Sequence, residues 1–177
     1  MDGLPIATLA IPNLEVLSIY RTLLRTWCES GVGGQRNRQE LCAAVLAGDA
    51  ETVQRHVQTW LASSASFYDT ARPPERFYHG FVLGLLVDLS QTHQVQSNRE
   101  SGAGRCDVLV LPRRPGAPGV ALELKVRREQ SIEAALAAAH AQLRERDYAA
   151  ALRQAGAHPV RHLALVFDGK TVHVSAG

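Results

Sequence analysis

Residues 105–126 read RCDVLVLPRRPGAPGVALELKV, and the fold turns on them. Two apolar runs, CDVLVLP and GVALELKV, flank RRPGAP, whose prolines and glycine suit a turn. The spacing predicts a β-hairpin with a mobile tip. Side chains alternate along a strand, so Val120, Leu122, Leu124 and Val126 face one way and Ala121, Glu123 and Lys125 the other. Asp107 stands at the entry to the first strand, and so short a connection brings it close to Glu123 and Lys125. One polar corner, two carboxylates and an ammonium, thus interrupts an otherwise apolar hairpin. Neighbouring carboxylates repel each other unless positive charge lies between them. A hard divalent cation supplies it, because Mg²⁺ prefers carboxylate and water oxygens.

The flanking segments extend this hairpin into a domain. Upstream, PPERFYHGFVLGLLVDL reads as an apolar helix with proline at its first turn. Glu75, His79, Val82 and Leu86 share one of its faces. THQVQSNRE alternates like a strand, and GAG turns the chain. Downstream, SIEAALAAAHAQLRERDYAAALRQAG is one long helical pattern. Ile132, Leu136, Ala139 and Leu143 make its stripe, flanked by Ala135 and Ala138, small enough to lie close on a sheet. PVRHLALVFDGKTVHVSAG is two strands around an Asp-Gly turn. The order α-β-β-β-α-β-β predicts a mixed α/β domain over residues 71–177, a central mixed sheet flanked by helices.

Residues 1–70 read as a helical N-terminal extension. LPIATLAIPN is a short strand candidate, and NLEVLSIYRTLLRTWCESG a helix closed by Gly31. GVGGQRNR lacks the GxxxxGK[ST] pattern of a phosphate loop and reads as a plain turn. In NRQELCAAVLAG, Asn37 is the expected N-cap and Gly48 the stop. Asp49 caps the next helix, whose Val53, Val57, Trp60 and Leu61 form one face.

At 177 residues, 46% hydrophobic and 20% charged, the chain suits a packed core rather than global disorder. Nineteen basic against 17 acidic residues leave +2, too balanced to name a polyanionic partner from net charge. Cys28, Cys42 and Cys106 form no CxxC pair, which argues against a zinc knuckle or redox motif and for free thiols. No apolar run reaches the roughly 18 residues of a membrane span, and the N-terminus lacks a basic secretory n-region. A soluble cytoplasmic protein with no membrane partner is expected.

A lone Glu-x-Lys on a strand is commonly a solvated ion pair. The ordered series is more specific: acid-bearing helix, polar strand, Gly turn, Asp-led strand, Glu-x-Lys strand, Ala-rich helix. With Asp107 followed by Glu123-Leu124-Lys125, it resembles the PD-(D/E)XK nuclease superfamily. More narrowly, IPNLEV, ERFYHGFVLGLL, ESGAGRCDVLVL, ALELKV, AQLRERDYAAAL and LALVFDGKTVHV resemble the nuclease-like C-terminal region of bacterial AAA-ATPase-like proteins.

The resemblance implies a restriction-endonuclease-like fold and a Mg²⁺-dependent DNA endonuclease, with Mn²⁺ as a substitute. The implied attack is by a metal-activated water in line with the leaving oxygen. Asp107 and Glu123 would be metal ligands, with the Leu124 carbonyl a third, and Lys125 the catalytic lysine. Glu75 would be a further metal-binding acid from the first helix, although a first-turn acid also suits the helix dipole. Gln142 would be a polar site residue on the helix after the Glu-x-Lys strand. His79 and Tyr148 match the family text and read as core residues with satisfied polar tips. Cys106 stands where the superfamily's name has proline. Arg105, Arg113, Arg114, Arg127 and Arg128 surround the corner in sequence and are expected to hold a nucleic-acid backbone. No Walker lysine motif occurs, so ATP dependence is not carried over. The partner expectations are a homodimer and an ATPase partner or domain outside this chain. The alternative function is a catalytically inactive nuclease-fold module that binds nucleic acid or a protein. The intact Asp107, Glu123 and Lys125 argue against it.

Overall fold

A computed structural model of the chain describes residues 34–63, 75–97, 108–145 and 148–177. The strand and helix expected before residue 31, and Gly31 itself, lie outside these residues. Helix α1 (Gly34–Ala47) starts earlier than expected, so Asn37 sits inside it rather than at its cap. The physical reason is side-chain pairing within and beyond the first turns. Arg36 Nε lies 3.3 Å from Glu40 Oε1 one turn on. Gly48 ends α1 at φ 75, where a side chain would be strained. Asp49 then caps α2 (Ala50–Ser63) as expected, its Oδ1 accepting the Thr52 N–H at 3.1 Å. Hydrogen bonding from the Thr52 hydroxyl, and then from its N–H, holds the Asp49 carboxyl below its usual range.

Helix α3 (Glu75–Leu85) runs into a short 3-10 turn, Val87–Gln91. Five strands follow: β1 (His93–Ser97), β2 (Val108–Pro112), β3 (Gly119–Val126), β4 (Val160–Asp168) and β5 (Thr171–Ala176). They form one sheet in the order β1-β2-β3-β4-β5. Only β3 and β4 pair in parallel; the other three pairs are antiparallel. A parallel pair needs a long crossover, which here contains α4 (Ile132–Glu145) and α5 (Tyr148–Gln154). The single long helix expected there is described as two, with residues 146–147 outside the described set.

The two faces of the sheet differ. Val108, Val110, Val120, Leu122, Leu124, Leu163, Leu165 and Phe167 bury themselves against Leu41, Val45, Val53, Trp60, Leu61, Tyr78 and Leu85 of the first three helices. Helices α1 and α2, before residue 71, thus belong to the same apolar cluster as the sheet. The other face carries a smaller cluster of Leu109, Ala121, Leu143, Tyr148, Leu152 and Ala157. The buried seam of α4 is Ala135, Ala139 and Leu143, with Ile132 and Leu136 only half-buried. The alanines displace the larger residues from the expected stripe because α4 packs directly on β3 and β4. Gly119 is needed for the same kind of close approach: a Cβ there would come within 2.6 Å of Ala157 Cβ.

Polar groups fasten these layers. The Val172 N–H donates to Gln58 Oε1 at 2.9 Å and the Val174 N–H to Gln54 Oε1 at 2.8 Å. Gln58 Nε2 donates to the Lys170 carbonyl at 2.7 Å. Side chains of α2 therefore satisfy the outer backbone edge of β5, which would otherwise be open to pairing with another strand. Arg38, 4% exposed, donates from Nε to Asp88 Oδ2 at 2.9 Å and ties α1 to the 3-10 turn. Burial, aided by Asp88, pushes the nearby Cys42 thiol up to about 12, which makes it inert as a nucleophile near neutral pH. Among the described residues no helix is long and apolar enough to cross a membrane.

Candidate active site

The β2–β3 hairpin forms as the alternation requires, with Val108 opposite Leu122, Leu109 opposite Ala121 and Val110 opposite Val120. Leu109 and Ala121 point toward α4 and α5. Glu123 and Lys125 follow Ala121 on that same face, two and four residues along β3. Glu123 is almost fully buried, at 1% exposure, and lies in register with Ala164 of β4. Lys125 Nζ stands 2.8 Å from Glu123 Oε1, with 30% of its side chain exposed. The same ammonium donates to Gln142 Oε1 of α4 at 2.5 Å. A buried carboxylate is costly without a partner of opposite charge. The half-exposed lysine supplies one and closes the carboxylate on its solvent side. Leu124, between them, turns its side chain into the larger apolar cluster.

The remaining expected residues divide. Asp107 and Arg105 lie outside the described residues. Glu75 opens α3, and its side chain is also outside them. One turn on, His79 is buried, with Nε2 3.2 Å from Ser97 Oγ at the end of β1. Ser97 pairs in register with Val108, so this bond fastens the first turns of α3 beside the start of β2. Tyr148 is buried in the smaller cluster with Leu143 and Leu152.

The arginines separate more sharply. Arg127 Nε donates to Asp168 Oδ2 at 2.7 Å, just beyond the Lys125 end of β3. Arg128 is exposed beside it. Arg113 and Arg114 occupy the β2–β3 turn, at the opposite end of the sheet. Lys125 lies six positions beyond Gly119 on β3, about 20 Å at 3.3 Å per residue. Their turn is held rather than mobile. The Arg113 N–H donates to the Thr92 carbonyl at 3.0 Å, the Gly116 N–H to Gly156 at 2.8 Å, and the His158 N–H to Ala117 at 2.9 Å. His93 Nε2, 3.0 Å from the Pro118 carbonyl, must carry the proton there, since a carbonyl only accepts. The tip of an isolated hairpin would be free; this one is stitched to β1 and to the loop before β4.

Asp168 was not among the expected residues, because Asp-Gly signalled a turn and nothing more. Its side chain nonetheless restrains Arg127 at the rim. Among the described residues no group of three or more His, Cys, Asp or Glu side chains could hold a metal ion. The described Glu123 offers oxygen, the donor type that hard divalent cations take. One further acid precedes Val108 in the chain, namely Asp107.

A family model for the PD-(D/E)XK nuclease superfamily matches residues 73–176, more than half the chain. No curated protein matches it. The chain belongs to the PD-(D/E)XK nuclease superfamily, and its mixed sheet flanked by helices is the restriction-endonuclease-like arrangement.

Proposed function

We propose that this member of a nuclease superfamily is a divalent-metal-dependent endonuclease that hydrolyses phosphodiester bonds of DNA, with Mg²⁺ as its ion. The observation that carries the reading is the ammonium of Lys125, bonded at once to Glu123 Oε1 and Gln142 Oε1. A strand lysine with only a structural task needs one anion; this one is oriented from two directions, from β3 and from α4.

Asp107, Glu123 and the Leu124 carbonyl are the residues that would hold the ion, with Glu75 as a further acid from α3. When bound, such an ion supplies Lewis-acid polarisation of a phosphate oxygen and a lowered pKa for a water. The protein's own groups do the rest. Glu123 holds fixed negative charge in a site closed by Ala121 and Ala164, each 0% exposed. Lys125 places a positive charge where negative charge develops on the phosphorane-like transition state, and its position is set before substrate arrives. Gln142 accepts one ammonium hydrogen, which limits the rotamers Lys125 can adopt. Arg128, exposed at the rim, and Arg127, steered by Asp168, are the arginines assigned to backbone phosphates in this reading.

The test incubates the purified chain with plasmid, linear duplex and single-stranded DNA, in Mg²⁺, in Mn²⁺ and in chelator. Glu123→Ala and Lys125→Ala run alongside. Cleavage is expected in metal only and lost in both variants. Cutting in chelator, or undiminished cutting by both variants, would sink the mechanism. Tight DNA binding with no cutting in any metal would establish the catalytically inactive, nucleic-acid-binding module instead.

A further inference from the structure

We propose that the end of the sheet away from Lys125 is a second contact surface for duplex nucleic-acid backbone, built from Arg113, Arg114, Arg153 and Arg161. The inference rests on nucleic acid being the substrate, but not on hydrolysis. Four chain segments meet at this end: the start of β1, the β2–β3 turn, the α5–β4 loop and the start of β4. Residues 89–97, 108–120 and 148–163, the stretches that run through it, contain no Asp and no Glu. All four arginines are exposed.

What sets them apart from the other arginines without an acidic partner, such as Arg55, Arg128 and Arg144, is that they gather at one end of the sheet. Arg36 pairs with Glu40, Arg38 with Asp88 and Arg127 with Asp168. None of the four forms an ion pair with a described residue. Two acids lie close in the chain: Asp88, two residues before the Ser90 carbonyl that holds Arg113, is paired with Arg38, and Asp49 follows Gly48, whose added Cβ would touch Arg161 Cδ at 3.1 Å. The Asp49 carboxylate is committed to capping α2 through Thr52.

The surface is also rigid. The backbone bonds from Gly116 to Gly156 and from His158 to Ala117 join the Arg114 turn to the loop after Arg153. Arg113 Nε donates to the Ser90 carbonyl at 3.1 Å, which fixes the stem of its guanidinium. Such pre-positioning lowers the ordering cost of binding. The planar guanidinium fork matches phosphate oxygens bidentately. No Trp, Tyr or Phe lies in residues 89–97 or 108–120, and the one in 148–163, Tyr148, is buried. A protein partner would want an exposed aromatic anchor, and single-stranded bases a stacking platform. Uncompensated arginines without aromatics fit the backbone of a duplex.

The test measures binding of a fluorescently labelled duplex oligonucleotide by anisotropy across a salt series, in chelator so that nothing is cut. The pairs are Arg113→Gln with Arg114→Gln, and Arg153→Gln with Arg161→Gln. The control pair, Arg36→Gln with Arg144→Gln, removes the same charge elsewhere. Each surface pair should lower the slope of log affinity against log salt by about 1.8, from roughly 0.9 per phosphate contact. The control should leave it in place. An unchanged slope in both surface pairs overturns the proposal. So does an equal fall in the control, which would reduce the effect to net charge. Binding of poly-glutamate but not duplex overturns it in favour of an acidic protein partner. A lowered slope in a protein that cuts nothing leaves this surface standing and removes only the hydrolytic reading; cutting with an unchanged slope does the reverse.

Discussion

Strand β3 presents two unlike faces within eight residues. Toward α1–α3 it offers Val120, Leu122 and Leu124, all buried among aliphatic and aromatic side chains. Toward α4 it offers Ala121, then a buried carboxylate and a half-buried ammonium. Each aliphatic side chain fully removed from water contributes about 1.5–3 kcal/mol. The Glu123–Lys125 pair contributes far less, because desolvating the carboxylate offsets most of the attraction. The first face therefore holds the fold together, and the second gives up stability for charge held in place.

That contrast is broken most forcefully from the apolar side. Phe167 is 0% exposed and stacks on Tyr78 at 4.4 Å between ring centroids. Phe167→Ala should cost about 3–5 kcal/mol, read as a lower urea midpoint, while DNA cleavage per folded molecule persists. A loss below 1 kcal/mol would mean that this face is not the main source of stability.

The charged face should respond the opposite way. Glu123→Gln should cut the cleavage rate by about 10²–10³, the usual cost of one preorganised electrostatic group. Its urea midpoint should stay level or rise, because a buried charge has been removed. A variant that loses activity only in proportion to a lost fold would make Glu123 a structural residue. Gln142→Ala is the finer version. Losing one charge-assisted hydrogen bond of about 1.5 kcal/mol should slow cleavage about tenfold. Thermal unfolding followed by circular dichroism should barely change.

The same contrast explains which parts were legible in the sequence. Strand β3 matches the GVALELKV run residue for residue, because period-two alternation is a local property. The Asp49 cap and the Gly48 stop were legible for the same reason. The helix start at Gly34 was not, since the Arg38 bond that supports it reaches 50 residues along the chain to Asp88. RRPGAP looked free because its restraints come from Thr92, Gly156 and His158, on other segments. The place of Arg113 and Arg114, by contrast, was legible: a hairpin with RRPGAP at its tip and Asp107 beside Glu123 at its other end already sets them far from Lys125. Gln142 joined the site by family resemblance alone, and only the packing of α4 on β3 brings its oxygen to the lysine.

A smaller effect tests the β5 edge. Gln54→Ala and Gln58→Ala each leave a strand N–H without its side-chain acceptor. Each should cost about 1 kcal/mol and promote concentration-dependent self-association through the exposed edge. Sedimentation velocity would detect it. A monodisperse double variant would show that α2 shields the edge by bulk alone.

The smallest expected effect is a pH dependence that belongs to the charged face. His140 on α4 and His162 on β4 both have pKa values lowered by burial first. Arg144 and His162 then act on His140, and Arg153 on His162. His140 Nε2 also meets Ser175 Oγ at 2.6 Å, a bond a neutral ring can make either as donor or as acceptor. The sign follows from linkage. Below the ordinary histidine value near 6.5 the unfolded chain takes up protons that the folded rings still refuse. Stability therefore falls as pH drops from about 6.5 toward the lowered folded values, and is level above. Asp49 and Glu133, whose pKa values are also lowered, act in a separate window below the usual carboxylate range. Both rings are only partly buried, so solvent screening keeps the loss under about 1 kcal/mol. His140→Gln with His162→Gln should flatten the urea midpoint between pH 7.5 and 5.5. A slope that survives this double variant would point to His56, whose pKa burial also lowers but which packs on the apolar face, beside Trp60.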